Sequence, residues 1–149
     1  MDQTQKLLQK IVENGRMGED ACDQLLSRTE DIEMRRELML EKQHYAAAAR
    51  DAETRLYEMG VRPQPKGPMA RMGLWMGMQI NTAADQSSSH IADIVIQGAT
   101  MGVVELTKAR NSFTEADAEA QGIATNLITR QQEAIERLKA FLSEQVVVK

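Results

Sequence analysis

The 149-residue sequence predicts an all-α domain: four long helices in two antiparallel hairpins, with a short extra helix in the crossover between them. Three observations predict it. Apolar residues recur at three- and four-residue steps in four long stretches, the spacing of a single helix face. Polar turns carrying helix-capping residues divide these stretches near residues 27–30 and 110–114, so hairpin partners lie antiparallel. Between the hairpins, Gly60, Pro63, Pro65 and Pro68 interrupt any helix, and residues 60–89 are long enough to cross the bundle.

The first helix is expected from about Thr4 to about Leu26. Leu7, Leu8, Ile11, Gly15, Gly18, Cys22, Leu25 and Leu26 share one face. Ser27 and Thr29 end it, and Ser27-x-x-Glu30 reads as a capping box for the second helix. That helix runs from about Glu30 to Met59, with Met34, Leu38, Tyr45, Ala49, Ala52 and Leu56 as a narrow apolar stripe. Gly60 is placed to cap its C-terminus.

Pro68 suits the first position of the third helix, which ends near Ala84. Ser88 or Ser89 is expected to cap the fourth. Its inner face is Ile91, Ile94, Val95, Gly98, Gly102 and Ala109. Ser112-x-x-Glu115 and Thr114-x-x-Asp117 are overlapping cap signals for the fifth, where Ala120, Ile123, Leu127, Ala134, Leu138 and Phe141 share a face. The tail Val146–Lys149 is expected to fray. Each interior glycine costs about 1 kcal/mol relative to alanine, which close backbone approach can offset. The alanines at 46–49 are the natural counterpart of Gly15, Gly18, Gly98 and Gly102.

Composition fits a single domain over residues 1–149, burying about 68–70% of the unfolded surface. The net charge is −4 and aromatics are 3%. Neither a basic face nor stacking platforms for nucleic acid are expected. The lone Cys22 excludes an internal disulfide and fits a reducing cytoplasm. The N-terminus has no secretory apolar core, and no stretch approaches the roughly 20 apolar residues of a membrane span.

Glu41 and His44 have Glu-x-x-His spacing, which sets a carboxylate beside an imidazole on one helix face. Glu41 falls about 30° from the centre of its helix's apolar stripe, with His44 on the stripe's edge. A buried carboxylate needs a partner, for which Gln131 or a capping amide is in reach. Here the chain resembles the ferritin-like superfamily, whose two-hairpin bundles hold a pair of metal ions between glutamates and two Glu-x-x-His helices. The resemblance implies a second Glu-x-x-His on the fifth helix. Residues 131–134 stand there instead, with Gln131 in place of the carboxylate and Ala134 in place of the imidazole. Gly98 occupies the mid-helix position on the fourth helix. Glu105 lies on its inner face but at the wrong height, and Glu19 is about 70° off the face of the first. A complete two-metal centre is therefore not expected, nor is any organic cofactor.

His90 lies beside three serines at a helix start, which reads as a capping cluster rather than a catalytic triad. Cys22, centred on an apolar face, reads as a small hydrophobe. The third helix is Met-rich. Met69, Met72, Met76 and Ile80 make one stripe with Trp75 beside it, while Leu74 and Met78 point elsewhere. This reads first as thioether packing over the crossover, then as a partner surface of Met72, Leu74, Trp75 and Met78 for a two-fold homodimer or a protein complex, and last as interfacial membrane contact or Cu(I) ligation by methionines. Two function classes follow. One is a small cytoplasmic bundle without a complete catalytic site, acting by self-association or protein binding. The other is a ferritin-like metal-binding protein using Glu41 and His44.

Overall fold

The computed structural model describes residues 1–64, 77–80 and 85–144, and all of their regular structure is helical. The long helices are α1 (Gln3–Leu26), α2 (Ile32–Glu58), α3 (Ser88–Ser112) and α4 (Ala118–Leu138), followed by a 3₁₀ turn, Lys139–Phe141. Residues 77–80 of the crossover are also helical. The remainder of the Met-rich helix expected over residues 68–84, with Met72, Leu74 and Trp75, lies outside the described residues, as does the tail expected to fray.

Most helix starts are set by an aspartate. Asp2 caps α1 in a capping box with Gln5. Asp31 caps α2, accepting from the amides of Glu33 and Met34. Asp117 caps α4 through the amide of Ala120. The expected Ser27–Glu30 box does not form: Ser27 instead closes α1, its hydroxyl donating to Gln24 O at 2.6 Å. Ser112 and Thr114 likewise yield to Asp117, and Ser87 caps α3 in place of Ser88 or Ser89. At α1, α2 and α4 the capping carboxylate adds favourable charge at the positive helix end. At the end of α2 the sequence reading holds. Gly60 takes φ +74°, Val61 N–H donates to Leu56 O, and Gly60 N–H donates to Tyr57 O. That is a Schellman closure, which needs a residue free to enter the left-handed region.

Cross-helix contacts give the pairing order. Gly15 and Gly18 face Ala49 and Tyr45, so α1 and α2 run antiparallel. Gln131 meets Tyr45, Arg137 meets Glu37 and Arg55 meets Asp117, so α2 and α4 do too. Arg110 meets Thr125 while Ser89 meets Ser143, which makes α3 antiparallel to α4. Helices α1 and α4 are then parallel and α2 and α3 share a direction, as a long connection between the hairpins requires.

The core is contiguous and draws on all four helices and on Ile80 from the crossover. The six residues named from sequence for the face of each of the second and fourth predicted helices are buried, whereas Glu105, also expected on the inner face of the fourth, is not. Leu26, Ile123 and Phe141 pack at the edge. Two hydrogen bonds with the backbone of Gln64, made by the side chain of Gln9, tie the start of the crossover to α1.

Candidate functional site: a polar centre between α2 and α4

The middle of this apolar core is polar. Asn14 on α1, Glu37, Glu41 and Tyr45 on α2, and Gln131 on α4 are all buried. Gly102 on α3 admits them: a Cβ there would lie 2.6 Å from Gln131 Nε2 and 2.9 Å from Asn14 Nδ2. Gly18 does the same for the Tyr45 ring, which a Cβ would meet at 2.5 Å. Close approach is thus what these two glycines provide. At Gly102 the neighbour is an amide pair rather than the alanine run, whereas Gly15 does meet Ala49.

Hydrogen-bond chemistry fixes the amide orientations. The Gly102 carbonyl can only accept, so it faces Asn14 Nδ2, at 3.4 Å. Asn14 Oδ1 therefore faces the next group, Gln131 Nε2, at 3.0 Å. The same nitrogen also donates to the Tyr45 hydroxyl at 3.2 Å. With its NH₂ committed to these two acceptors, Gln131 turns its carbonyl oxygen the other way. That oxygen is buried and has no hydrogen-bond partner among the described residues.

The same holds for both carboxylate oxygens of Glu41, which is 2% exposed. The hydrogen bond expected between Glu41 and Gln131 is not made. Burial, reinforced by the nearby Glu37 carboxylate, pushes the Glu41 carboxyl up to about 8, with Arg137 acting in the opposite sense. Glu37 is better placed. It accepts from Arg137 Nε at 2.5 Å and closes an ion pair between α2 and α4.

Glu41 and Gln131 line a small cavity of about 10 Å³ together with His44, Tyr45, Arg130, Leu127 and Ala134. A space of this size holds about one water molecule. The structure thus brings Glu41 and His44 to one cavity, and sets Gln131 and Ala134 on the opposite wall. His44 is half-buried, and burial, with Arg130 and Arg137, moves its imidazole below its ordinary pKa. This favours the neutral form, the one that ligates metals. Arg130 reaches toward Glu133, 3.9 Å away, at the rim.

The other sequence candidates do not converge here. Glu105 does not face the interior: it is only half-buried and lies 3.6 Å from Lys108. Glu19 pairs with Arg16 at 2.9 Å. Cys22 is buried in the apolar cluster, and desolvation, then Glu41, raise its thiol well above the ordinary value. The serines beside His90 serve the backbone and Asp31: Ser87 caps α3, Ser88 donates to Asp31 and Ser89 to Ser143 O. Among the described residues no three histidine, cysteine or carboxylate side chains come together as a metal cluster. Sequence reasoning missed Asn14, Glu37 and Arg137. Asn14 had a signal: a poor helix former three residues after Ile11 and four before Gly18 on the apolar face.

No family model matches the chain, and no curated protein matches it. Among solved structures it is similar to one described as "Crystal structure of DUF305 fragment from Deinococcus radiodurans". The TM-score is 0.74 at 16% identity, over 94% of this chain and 95% of that one. At this identity the likeness is one of fold, and the chain has a DUF305-like all-helical fold. No helix among the described residues is long and apolar enough to cross a membrane.

Proposed function

We propose that this chain is a ferritin-like helical protein whose two-metal centre is reduced to a site for a single cation, held by Glu41 and His44. The observation that carries the reading is the pair of Glu41 oxygens, buried without a hydrogen-bond donor among the described residues in a water-sized cavity shared with His44. An isolated buried carboxylate is costly, and a cation beside it removes that cost. A full two-metal set does not fit. Gln131 and Ala134 face Glu41 and His44, and Glu105 lies toward solvent near Lys108. One carboxylate cannot balance two divalent ions, so no ferroxidase-type chemistry is assigned.

Elemental analysis of protein purified without chelator, with calorimetric titration of Zn²⁺, tests this. One ion per chain is expected, with binding lost in Glu41→Gln and reduced in His44→Ala. Two ions per chain, or none in folded wild type, overturns it.

A second reading is association through the crossover, as a homodimer or with another protein in the cytoplasm. Met78 is 64% exposed while Ile80, two residues on, is 1% exposed. The segment therefore seats one apolar residue in the core and presents another outward. Light scattering on wild type and on Leu74→Glu/Met78→Glu decides it. A wild type that is monomeric at tens of micromolar removes the homodimer.

A further inference from the structure

With Glu41 ionised, as a bound cation would hold it, three of the orphan atoms are acceptors, Glu41 Oε1, Glu41 Oε2 and Gln131 Oε1, while one, Arg137 Nη2, is a donor. A water molecule brings two hydrogens and leaves one of these oxygens unmet. A cation meets all three. Of the nearest guanidinium groups, Arg137 is held at Nε by Glu37 and makes no hydrogen bond to Glu41 or Gln131, and Arg130 reaches toward Glu133 at the rim. The remaining polar contribution to the cavity wall is the His44 imidazole, with Tyr45 already accepting from Gln131.

We propose that Gln131 is a third ligand of the site, its carbonyl oxygen aimed by Asn14 and Tyr45 at a single divalent cation of borderline hardness. This rests on the cation reading above and deepens it. The class follows from the donors. Imidazole favours the zinc-like end of the divalent series, whereas carboxylate and amide oxygens alone would suit magnesium or calcium. A cavity of about 10 Å³ excludes an organic ligand. Asn14 and Tyr45 are positioning residues: by occupying both N–H bonds of Gln131 they prevent the flip that would point its NH₂ at the metal. Outer-shell partners of this kind are worth about 10–100-fold in metal affinity.

The test is a Co²⁺ titration of the full chain in metal-free buffer, read by visible d–d absorption and by calorimetry. Gln131→Leu is expected to weaken Co²⁺ at least tenfold. Gln131→Glu should tighten it at least tenfold by supplying a second carboxylate. Tyr45→Phe should weaken it about tenfold and alter the absorption band while leaving Glu41 and His44 in place. Should Gln131→Leu fail to fold, Gln131→Glu and Tyr45→Phe decide. Wild-type affinity and spectrum in the Gln131 variants would overturn this inference and leave the Glu41/His44 reading standing. A folded wild type that takes up no Co²⁺, with only a water in the cavity of a Co²⁺-soaked crystal, would overturn both.

Discussion

Glu41 illustrates a residue held against its own stability. Its two oxygens have no donor among the described residues, and an unmet buried polar group costs about 1–3 kcal/mol. Replacing it by an apolar residue of similar volume removes that cost. Metal-free Glu41→Leu is therefore expected to be more stable than metal-free wild type by about 1–3 kcal/mol in urea, and to lose metal binding. A destabilised Glu41→Leu would mean that the carboxyl has a partner in solution. The glycines supply the opposite contrast. An alanine Cβ at Gly18 meets the rigid Tyr45 ring at 2.5 Å, whereas nothing lies within 4 Å at Gly122. Gly18→Ala should lose about 1–3 kcal/mol through overpacking, less the roughly 1 kcal/mol of helix propensity it regains. Gly122→Ala should gain up to about 1 kcal/mol from propensity alone. Thermal melts of the two variants read the sign directly.

At the scale of the element, inner faces were more legible than boundaries. The stripe from Met34 to Leu56 was readable because a helix repeats its buried positions at fixed steps, and all six of its named members are buried. The starts were ambiguous because several capping residues lie within one turn of each other, and local pattern does not rank them. Asp117 shows what ranks them. It caps α4 and also pairs with Arg55 at 2.8 Å, a contact made only once α2 is alongside. Polar members of the core were hard to read for the same reason, since Gln131 is buried only because Asn14 and Tyr45 meet it from two other helices. Arg55, before the amide of Ala120, holds the Asp117 carboxyl below its ordinary value. A depressed folded-state pKa gives stability that is present above the unfolded value, about 3.9, and lost as pH falls through the folded one. Asp117 is substantially exposed, so the ion pair is worth only about 0–1 kcal/mol. Asp117→Asn keeps the cap and should trail wild type by that amount at pH 7, with the gap closing in acid. Asp117→Ala should lose about 1 kcal/mol more. A gap in Asp117→Asn that persists at pH 2 would mean that the effect is not ionic.

Across the whole molecule, the connection that joins two helices running in the same direction is part of the packing. Helices α2 and α3 share a direction, so the chain must return along the bundle between Glu58 and Ser88. The connection is anchored at Gln64 and at Ile80. Gln9 takes both backbone groups of Gln64, and Ile80 enters the same core cluster as Leu7, Leu38, Ile91 and Leu127. Ile80 should therefore behave as a core residue. Truncating a buried isoleucine costs about 2–5 kcal/mol through lost transfer energy and the cavity left behind. Met78, 64% exposed on the outer side of the same turn, should lose much less than Ile80 on truncation to alanine. Urea unfolding of Ile80→Ala and Met78→Ala makes the comparison. A large loss for Ile80→Ala, with an unchanged denaturant slope, means that the crossover unfolds together with the four helices. An Ile80→Ala variant as stable as Met78→Ala would mean that the crossover contributes nothing to that cooperative unit, and the outward placement of Met78 would then carry no argument for a partner surface.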